Sequence, residues 1–366
     1  MEKRNIIVIG ASAGGFEALK TIASGLPADL DASIFVVWHM AADVRGVMPH
    51  VLNRVGPIAA VEPYDHEEFR TNRIYVAPPD RHMLIEDGHI RVTRGPRENR
   101  FRPAVDPLFR SAALAYGGRV IGVVLSGGLD DGTAGLWSVK NRGGLAVVQD
   151  PRDAEVPSMP QNALREVEAD HIVPVTMMAP LLVRLSQEEV PAVTEAAMID
   201  ENENEKTMIE VKIAAEDNAF QSGVMELGDL TPFTCPECHG VLSAIDDGKL
   251  RRYRCHTGHA FSADSLLATL TEKIEDSMWS AIRGVEESVM LLNHLGDHFA
   301  ESNRTKVAAM YFRKANEASQ RIESLRDAVL SHERLSIDSI EFDANGGSPD
   351  DAGDDSGGDS SAVRAA

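Results

Sequence analysis

The sequence predicts an α/β fold: a doubly wound, mainly parallel sheet followed by a small zinc ribbon and a helix pair. Three observations carry that expectation. Short continuous apolar runs alternate with amphipathic stretches from residue 5 to about 185. The three cysteines cluster between 235 and 255, with histidines beside them. Two helical stripes fill the chain from 263 to about 332. Continuous apolar strands alternating with helices are the pattern of a parallel sheet covered on both faces.

The strand-like runs are Ile6–Ile9, Ser33–Trp38, Arg73–Val76, Val120–Leu125, Leu145–Val148 and His171–Val173. Between them Phe16, Leu19, Ile22 and Leu26 repeat at helical spacing, as do Leu108, Ala112 and Ala115, and later Leu136, Val139 and Lys140. Arg73–Val76 and His82–Val92 are expected to form a local hairpin, because Asp87-Gly88 is a strong turn signal. These elements place a first domain at 1–186. From 187 to 230 the chain turns acidic and loses clear periodicity, which predicts a linker with at most one weak amphipathic element. Residues 231–262 are expected to form the zinc-ribbon-like module, and 263–335 an antiparallel helical hairpin. Leu266, Leu270, Ile274, Met278, Ile282, Val285, Val289 and Leu292 mark its first helix, and Val307, Met310, Ala315, Ile322, Leu325 and Val329 its second. The break is expected around Gly296 and Asn303. The Gly-, Ser- and Asp-rich remainder, 336–366, is expected to be a disordered acidic tail.

Composition narrows the function classes. With 366 residues, 43% of them hydrophobic, the chain can bury more than one core. A formal net charge of −21 with no long basic block repels phosphate backbones, so nucleic acid is not an expected partner. No apolar run approaches the ~20 residues a bilayer requires, and the N-terminal run merges into a glycine turn rather than a signal peptide. Direct membrane insertion is therefore not expected. An odd, clustered set of three cysteines argues for a metal in a reduced, cytoplasmic compartment rather than a disulfide framework.

The chemistry-bearing residues end the apolar runs. Ser12 follows Ile6-Ile-Val-Ile-Gly-Ala11, at a helix N-terminus where backbone N–H groups and the dipole would stabilise a developing oxyanion. A dinucleotide or phosphate loop, or a simple helix cap, would also place a serine there. The stretch is not Gly-x-Gly-x-x-Gly, however, and no acidic residue closes a second strand about 20 residues on. His39 follows Ile34-Phe-Val-Val-Trp38 and could accept the serine proton. Asp131 follows the run from Val123 and could orient the imidazole. Taken singly, His39 reads as a satisfied strand-end histidine and Asp131 as a helix cap. Together they predict a nucleophile, base and orienting acid. The chain order Ser, His, Asp differs from that of α/β-hydrolases.

These residues sit in stretches that resemble the catalytic domain of chemotaxis protein-glutamate methylesterases, the CheB type. The matching stretches are Gly10-Ala-Ser-Ala-Gly-Gly15, Val37-Trp-His-Met40, Tyr75-Val-Ala-Pro-Pro-Asp-Arg-His-Met83 and Asn99-Arg-Phe-Arg-Pro-Ala-Val-Asp-Pro-Leu-Phe109. Leu125-Ser-Gly-Gly-Leu-Asp-Asp-Gly-Thr-Ala-Gly135 and Val156-Pro-Ser-Met-Pro160 follow in the same order. The resemblance implies a cofactor-free Ser-His-Asp mechanism on Ser12, His39 and Asp131. The implied substrates are glutamate γ-methyl esters on chemoreceptor helices or on a related signalling protein, with deamidation of particular glutamines. It also implies that a receiver domain usual in the family is missing here. Ala13 stands where the family often has a hydroxylated residue, Gly128 where it has methionine and Asp130 where it has asparagine, which leaves Asp130 as a rival to Asp131. These departures keep open an alternative, a catalytically weak or inactive scaffold of a chemosensory-like pathway. Arg97, Arg100 and Arg102 could attract an acidic receptor helix or could form an ordinary solvated loop. Gln149, Asp150, Ser158 and Met159 match the family near the expected cleft, where packing alone could account for Met159.

In the C-terminal part, Cys235-Pro-Glu-Cys238 is followed by Cys255-His-Thr-Gly-His259. Three thiolates and one imidazole complete a tetrahedral zinc shell. Cys235, Cys238, Cys255 and His259 are the expected ligands, with His239 and His256 as competitors. Four protein ligands close a site, so the zinc is expected to be structural. A hairpin turning at Asp246-Asp-Gly248 would join the two knuckles.

Overall fold

The computed structural model describes residues 2–40, 45–191, 201–215, 218–336 and 340. The expected disordered tail lies outside the described residues beyond 340. The strands of the first half are β1 (Ile6–Ala11), β2 (Ser33–Trp38), β3 (Ala59–Val61), β4 (Glu67–Glu68), β5 (Arg73–Val76), β6 (His82–Ile85), β7 (His89–Thr93), β8 (Val120–Val124), β9 (Leu145–Gln149) and β10 (His171–Val173). Its helices are α1 (Gly15–Gly25), α2 (Val47–Val55), α3 (Val105–Tyr116), α4 (Thr133–Asn141), α5 (Ser158–Glu166) and α6 (Val175–Ser186). The rest comprises α7 (Glu201–Ala214), β11 (Asp229–Thr234), β12 (Val241–Asp247), β13 (Leu250–Cys255), β14 (Ala260–Ser262), α8 (Ala263–Glu301) and α9 (Thr305–Leu330).

Seven strands form one parallel sheet in the order β10-β9-β8-β1-β2-β5-β3. Successive side chains of a strand point to opposite faces, and β1 shows the result. Ile7 and Ile9 pack on one face with Leu19, Ile22 and Leu182, whereas Ile6 and Val8 pack on the other with Leu108, Phe109 and Leu136. The chain winds outward from β1 in one direction through β2 and β5, then returns to add β8, β9 and β10 on the other side. The crevice at the carboxyl end of β1 is therefore the topological switch point, where open α/β sheets bind ligands.

The expected hairpin is shifted. Arg73–Val76 is a parallel strand of the main sheet, paired with β2 and β3. The hairpin is β6–β7, turning at Asp87-Gly88, with β4 on its edge in a separate three-stranded sheet. Both faces of β5 are needed in the main sheet, and the four-residue run could not show that.

The stretch 187–230, read as a linker, contains the 14-residue helix α7. Thr207, Ile209, Glu210, Ile213 and Ala214 are buried on it. Ile209 and Ile213 pack with Val224, Leu227 and Ile245, and a buried charge ties the helix down beside them. Glu210 accepts from Arg252 Nη1 and Nη2 at 2.7 and 2.9 Å and from Arg254 Nη2 at 2.7 Å. Arg254 also donates to Glu98 at 2.9 Å, and Arg110 pairs with Glu98. Arg252 further pairs with Asp247. All six side chains are at most 7% exposed. They join the loop after β7, α3, α7 and the second module.

That module is a four-stranded antiparallel sheet, β11-β12-β13-β14, and its β12–β13 hairpin turns at Gly248. Helices α8 and α9 run back to back around Met278, Ile282, Val285, Ile322 and Val329. The break between them falls at Asn303, which takes φ +56°. Gly296, by contrast, lies inside α8, where a Cβ would meet the Phe312 ring at 2.5 Å. Of the stripes read from sequence, Ile274 and Met310 stay exposed.

Removing one member of a buried ion cluster strands its partners. Arg254→Ala should leave Glu98 and Glu210 short of a counter-charge and cost about 3–5 kcal/mol. Chemical denaturation of the whole protein should show that loss as a lower midpoint; an unchanged midpoint would contradict the account.

Candidate active site

Ser12, His39 and Asp131 come from the loops that leave β1, β2 and β8, three adjacent strands at the centre of the sheet. The parallel register levels their ends, with Ala11 beside Trp38 and Gly10 beside Val124. Gly10 lets α3 approach β1, since a Cβ there would lie 2.3 Å from Val105 Cγ1. Gly14 turns the chain into α1 with φ +72°. Ser12 N–H donates to Ser126 O at 2.9 Å and Trp38 Nε1 donates to Ser12 O at 3.1 Å, so the serine backbone is fixed from both neighbouring strand ends.

The three side chains form one hydrogen-bonded line. His39 Nδ1 lies 3.1 Å from Ser12 Oγ, and His39 Nε2 lies 2.8 Å from Asp131 Oδ2. Phe101 stacks on the imidazole at 3.7 Å between centroids and 9° between planes. Asp131 is 2% exposed. Burial alone would raise its carboxyl, but the His39 hydrogen bond and charge, with donors from Val105 and Asn99, outweigh that and hold it below its ordinary value. An ionised carboxylate only accepts, so Nε2 carries the ring proton. Nδ1 is then the acceptor facing the Ser12 hydroxyl. The ring nitrogens stand opposite to their arrangement in the chymotrypsin triad, where Nε2 faces the serine. The proton logic is unchanged.

The rival carboxylate, Asp130, points elsewhere. Its Oδ1 accepts the Ser262 hydroxyl at 2.6 Å. Burial pushes its carboxyl up to about 8, reinforced by Asp264, Asp106 and Asp131 against the Ser262 hydrogen bond. Asp106, which had no role assigned from sequence, accepts from Gly132 N–H at 3.1 Å and Gly135 N–H at 2.6 Å and so caps α4. Burial and the adjacent Asp131 push its carboxyl up to about 7.

A cleft of about 500 Å3 opens over Ser12 and His39, lined also by Phe16, Trp38, Met40 and Phe101. Gly128 borders open space, where a Cβ would have no atom within 4 Å. Met159 is buried beneath Gly127, and Ser158 Oγ donates to Leu129 O at 3.3 Å. Gln149 accepts Ser126 N–H at 2.9 Å. These residues shape the loop behind the serine. Asp150 is taken by Arg152. Two of the three loop arginines are engaged within the chain, Arg102 with Asp80 and Arg100 with Glu272, while Arg97 is exposed.

The second constellation is Cys235, Cys238, Cys255 and His259, whose ligand atoms all lie within 4.8 Å of one another. Cys238 Sγ–Cys255 Sγ is 3.6 Å, and His259 Nδ1 lies 3.7 Å from Cys235 Sγ and 3.6 Å from Cys255 Sγ. Metal–sulfur bonds of about 2.3 Å and metal–nitrogen bonds of about 2.0 Å give tetrahedral edges of roughly 3.5–3.8 Å. The residues therefore fit a four-coordinate metal. The Cys235 thiol, the largest influence, pulls Cys255 toward thiolate against the opposing effect of burial, and Cys255 in turn raises His259. Of the competing histidines, His239 takes φ +62° in the first knuckle, and the His256 ring packs against Gly240. Neither belongs to the cluster.

Asp130 supplies a pH test. A carboxyl raised in the folded state contributes stability fully below its unfolded value near 3.8, and that contribution drains away as pH rises toward about 8. Asp130→Asn keeps an acceptor for Ser262 and removes the ionisation. Its melting temperature should exceed that of the wild type by a margin that grows from pH 5 to pH 8. A margin independent of pH would contradict the assignment.

Comparisons with known proteins identify relatives of the first half of the chain. Residues 7–182 match the CheB methylesterase family. A protein of Leptospira interrogans provisionally named protein-glutamate methylesterase/protein-glutamine glutaminase is 41% identical over 182 residues, covering 50% of this chain and 94% of that one. Protein-glutamate methylesterase/protein-glutamine glutaminase 5 of Anaeromyxobacter dehalogenans is 35% identical over 184 residues, and the chain spans 51% of its length. The crystal structure of the Thermotoga maritima CheB methylesterase catalytic domain is 32% identical, with 50% of this chain and 98% of that chain covered and a TM-score of 0.48. Among the described residues no helix is long and apolar enough to cross a membrane. On the strength of the 41% relative, nearly all of whose length is matched, the chain belongs to the CheB methylesterase family.

Proposed function

We propose that the protein is a serine esterase that removes γ-methyl esters from glutamate side chains on helices of a chemoreceptor or related signalling protein. The observation that carries this reading is the unbroken line from Ser12 Oγ through His39 to Asp131. In the first half-reaction Ser12 Oγ attacks the ester carbonyl while His39 Nδ1 takes the hydroxyl proton. Asp131 steadies the imidazolium. The tetrahedral oxyanion forms at the N-terminal end of α1, beside the Ala13 and Gly14 N–H groups, which have no backbone acceptor among the described residues. The intermediate collapses, the ester C–O bond breaks, and His39 returns the proton to the departing methoxide as methanol. Water, deprotonated by His39, then hydrolyses the acyl-enzyme to free glutamate and Ser12. The same attack on a glutamine amide releases ammonia, and the double names of the relatives support including that reaction.

The cleft suits a flat methyl ester presented on a helix, since Phe16, Trp38, Met40 and Phe101 offer apolar walls around one polar line. A net charge of −21 disfavours a nucleic-acid partner. Catalysis in this reading uses no cofactor. Cys235, Cys238, Cys255 and His259 would hold a structural zinc, which would tie the two knuckles of the second module together. Three cysteines placed as ligands suit a reducing compartment, and we assign the protein to the cytoplasm.

Ser12→Ala should abolish methanol release from a methylated receptor and labelling by a fluorophosphonate probe, while the fold persists. Labelling that survives in Ser12→Ala would sink Ser12 as the nucleophile, and a wild type that neither labels nor releases methanol would sink the reading in favour of a scaffold. For the second module, elemental analysis should find about one zinc per chain, lost in the Cys235→Ser, Cys238→Ser double variant. A metal-free wild type would remove the zinc assignment without touching the esterase.

A further inference from the structure

Asn99 sits in the loop between β7 and α3, 4% exposed, with φ +47°. Asparagine tolerates this left-handed backbone better than most residues. Its side-chain amide makes four hydrogen bonds. Nδ2 donates to Asp131 Oδ1 at 3.0 Å and to Asp106 Oδ2 at 2.9 Å. Oδ1 accepts Ser262 N–H at 2.9 Å and the Ser265 hydroxyl at 3.1 Å. That uses the full capacity of the amide.

The two ends of the amide face different parts of the chain. The NH2 end faces carboxylates at the carboxyl edge of the main sheet. The oxygen end faces the first turn of α8, in the second module. A backbone N–H can only donate, so Ser262 dictates that the oxygen faces α8. The NH2 end is thereby aimed at Asp131. The first turn of α8 is held in register with this loop. Asn99 N–H donates to Ala260 O at 2.8 Å, and Ala260 N–H donates to Arg97 O at 3.2 Å. Ser262 Oγ caps α8 by accepting Ser265 N–H at 2.9 Å.

We propose that Asn99 is a positioning residue for Asp131, and that Ser262 and Ser265 of the second module set its orientation and so tune the reactivity of Ser12. The effect on rate rests on the esterase reading above. The physical argument is direct. A buried carboxylate stays ionised only while its lone pairs are filled, and Asn99 fills one of them. Without the α8 donors the amide oxygen would be buried and unsatisfied, and a rotated amide would present that oxygen to two carboxyls. Asp131 would then hold a proton more readily and the imidazole would lose its anchor. The other titratable groups around it are His39 from the β2 loop, His82 on β6, Asp106 on α3 and Asp130 on its own loop. Asp264 on α8 faces Asp130, and Arg110 and Arg252 face Asp106.

The test uses the whole protein with Asn99→Ala and Ser265→Ala, each checked for folding by circular dichroism. The rate of Ser12 labelling by a fluorophosphonate probe is followed across pH, and the His39 Nε2–H resonance by proton NMR. Asn99→Ala should slow labelling by about ten- to a hundredfold, move the acid limb of the profile to higher pH and shift the resonance. Ser265→Ala removes a hydroxyl that touches neither the triad nor the cleft. It should move the limb and the resonance in the same direction with a slowing of roughly threefold. A merely structural role would lower the folded fraction and leave both unmoved. Folded variants with the wild-type rate, profile and resonance would overturn the proposal. Should Asn99→Ala not fold, Ser265→Ala decides alone. A wild type unlabelled at Ser12 defeats the esterase reading instead; the resonance then decides the positioning role, a shift supporting it and no shift overturning it.

Discussion

Arg110 and Arg254 are the largest fully buried side chains in the described structure, and they meet at the seam between the parallel sheet domain and the second module. Each pairs with carboxylates from elsewhere: Arg110 with Glu98, and Arg254 with both Glu98 and Glu210. Such a cluster tolerates little displacement, because buried charges repay their desolvation only with good geometry. It therefore fixes the register of β13 against the loop after β7. Residues 97–99 of that loop take β14 as a neighbour through Ala260. The seam thus sets where α8 begins, and with it where Ser262 and Ser265 stand.

The reactive line has two kinds of support. Ser12 and His39 are held locally, by strand ends in register and by the Trp38 and Ser126 contacts to the serine backbone. Asp131 is held from a distance. Its donors are the Val105 and Asp106 N–H groups at the start of α3 and the amide of Asn99. Orientation of a reactive group by its neighbours' hydrogen bonds is what preorganises a site. Here that support reaches across the seam.

The legible part of the chain was the part where local pattern and tertiary role coincide. Buried parallel strands must be apolar throughout, so β1, β2 and β8 announced themselves, and their ends carried Ser12, His39 and Asp131. The cysteine spacing announced, in the same way, that Cys235, Cys238, Cys255 and His259 would come together. Two features were less legible. Arg73–Val76 was assigned to the hairpin because four residues carry no mark of which sheet they join. Helix α7 was legible only as the one weak amphipathic element allowed in the acidic stretch, because Glu210 looks like any residue of an acidic run, and only its burial against Arg252 and Arg254 distinguishes it. A signal did exist in β13, where Arg252 and Arg254 alternate onto one face and so require buried carboxylates if that face is covered. Asn99 lay within a family stretch, yet its partners Ser262 and Ser265 are more than 160 residues away in sequence.

The position of the second module decides what kind of influence it can exert. The cleft over Ser12 is lined by residues of the first half alone: Phe16, Trp38, Met40 and Phe101 beside Ser12 and His39. The module reaches the opposite end of the hydrogen-bonded line through Asn99, and touches Asp130 beside it. A cover over the cleft would act on access and hence on apparent substrate affinity. In the proposed esterase, a prop behind the aspartate would act on how well the imidazole is held and on the charge that stabilises it, which are rate effects realised only as the proton moves. The same contact is double-edged. Asp130 places an ionisable group where the module meets the site, so the seam is tied to the protonation of the carboxyl cluster as well as to the fold of the module.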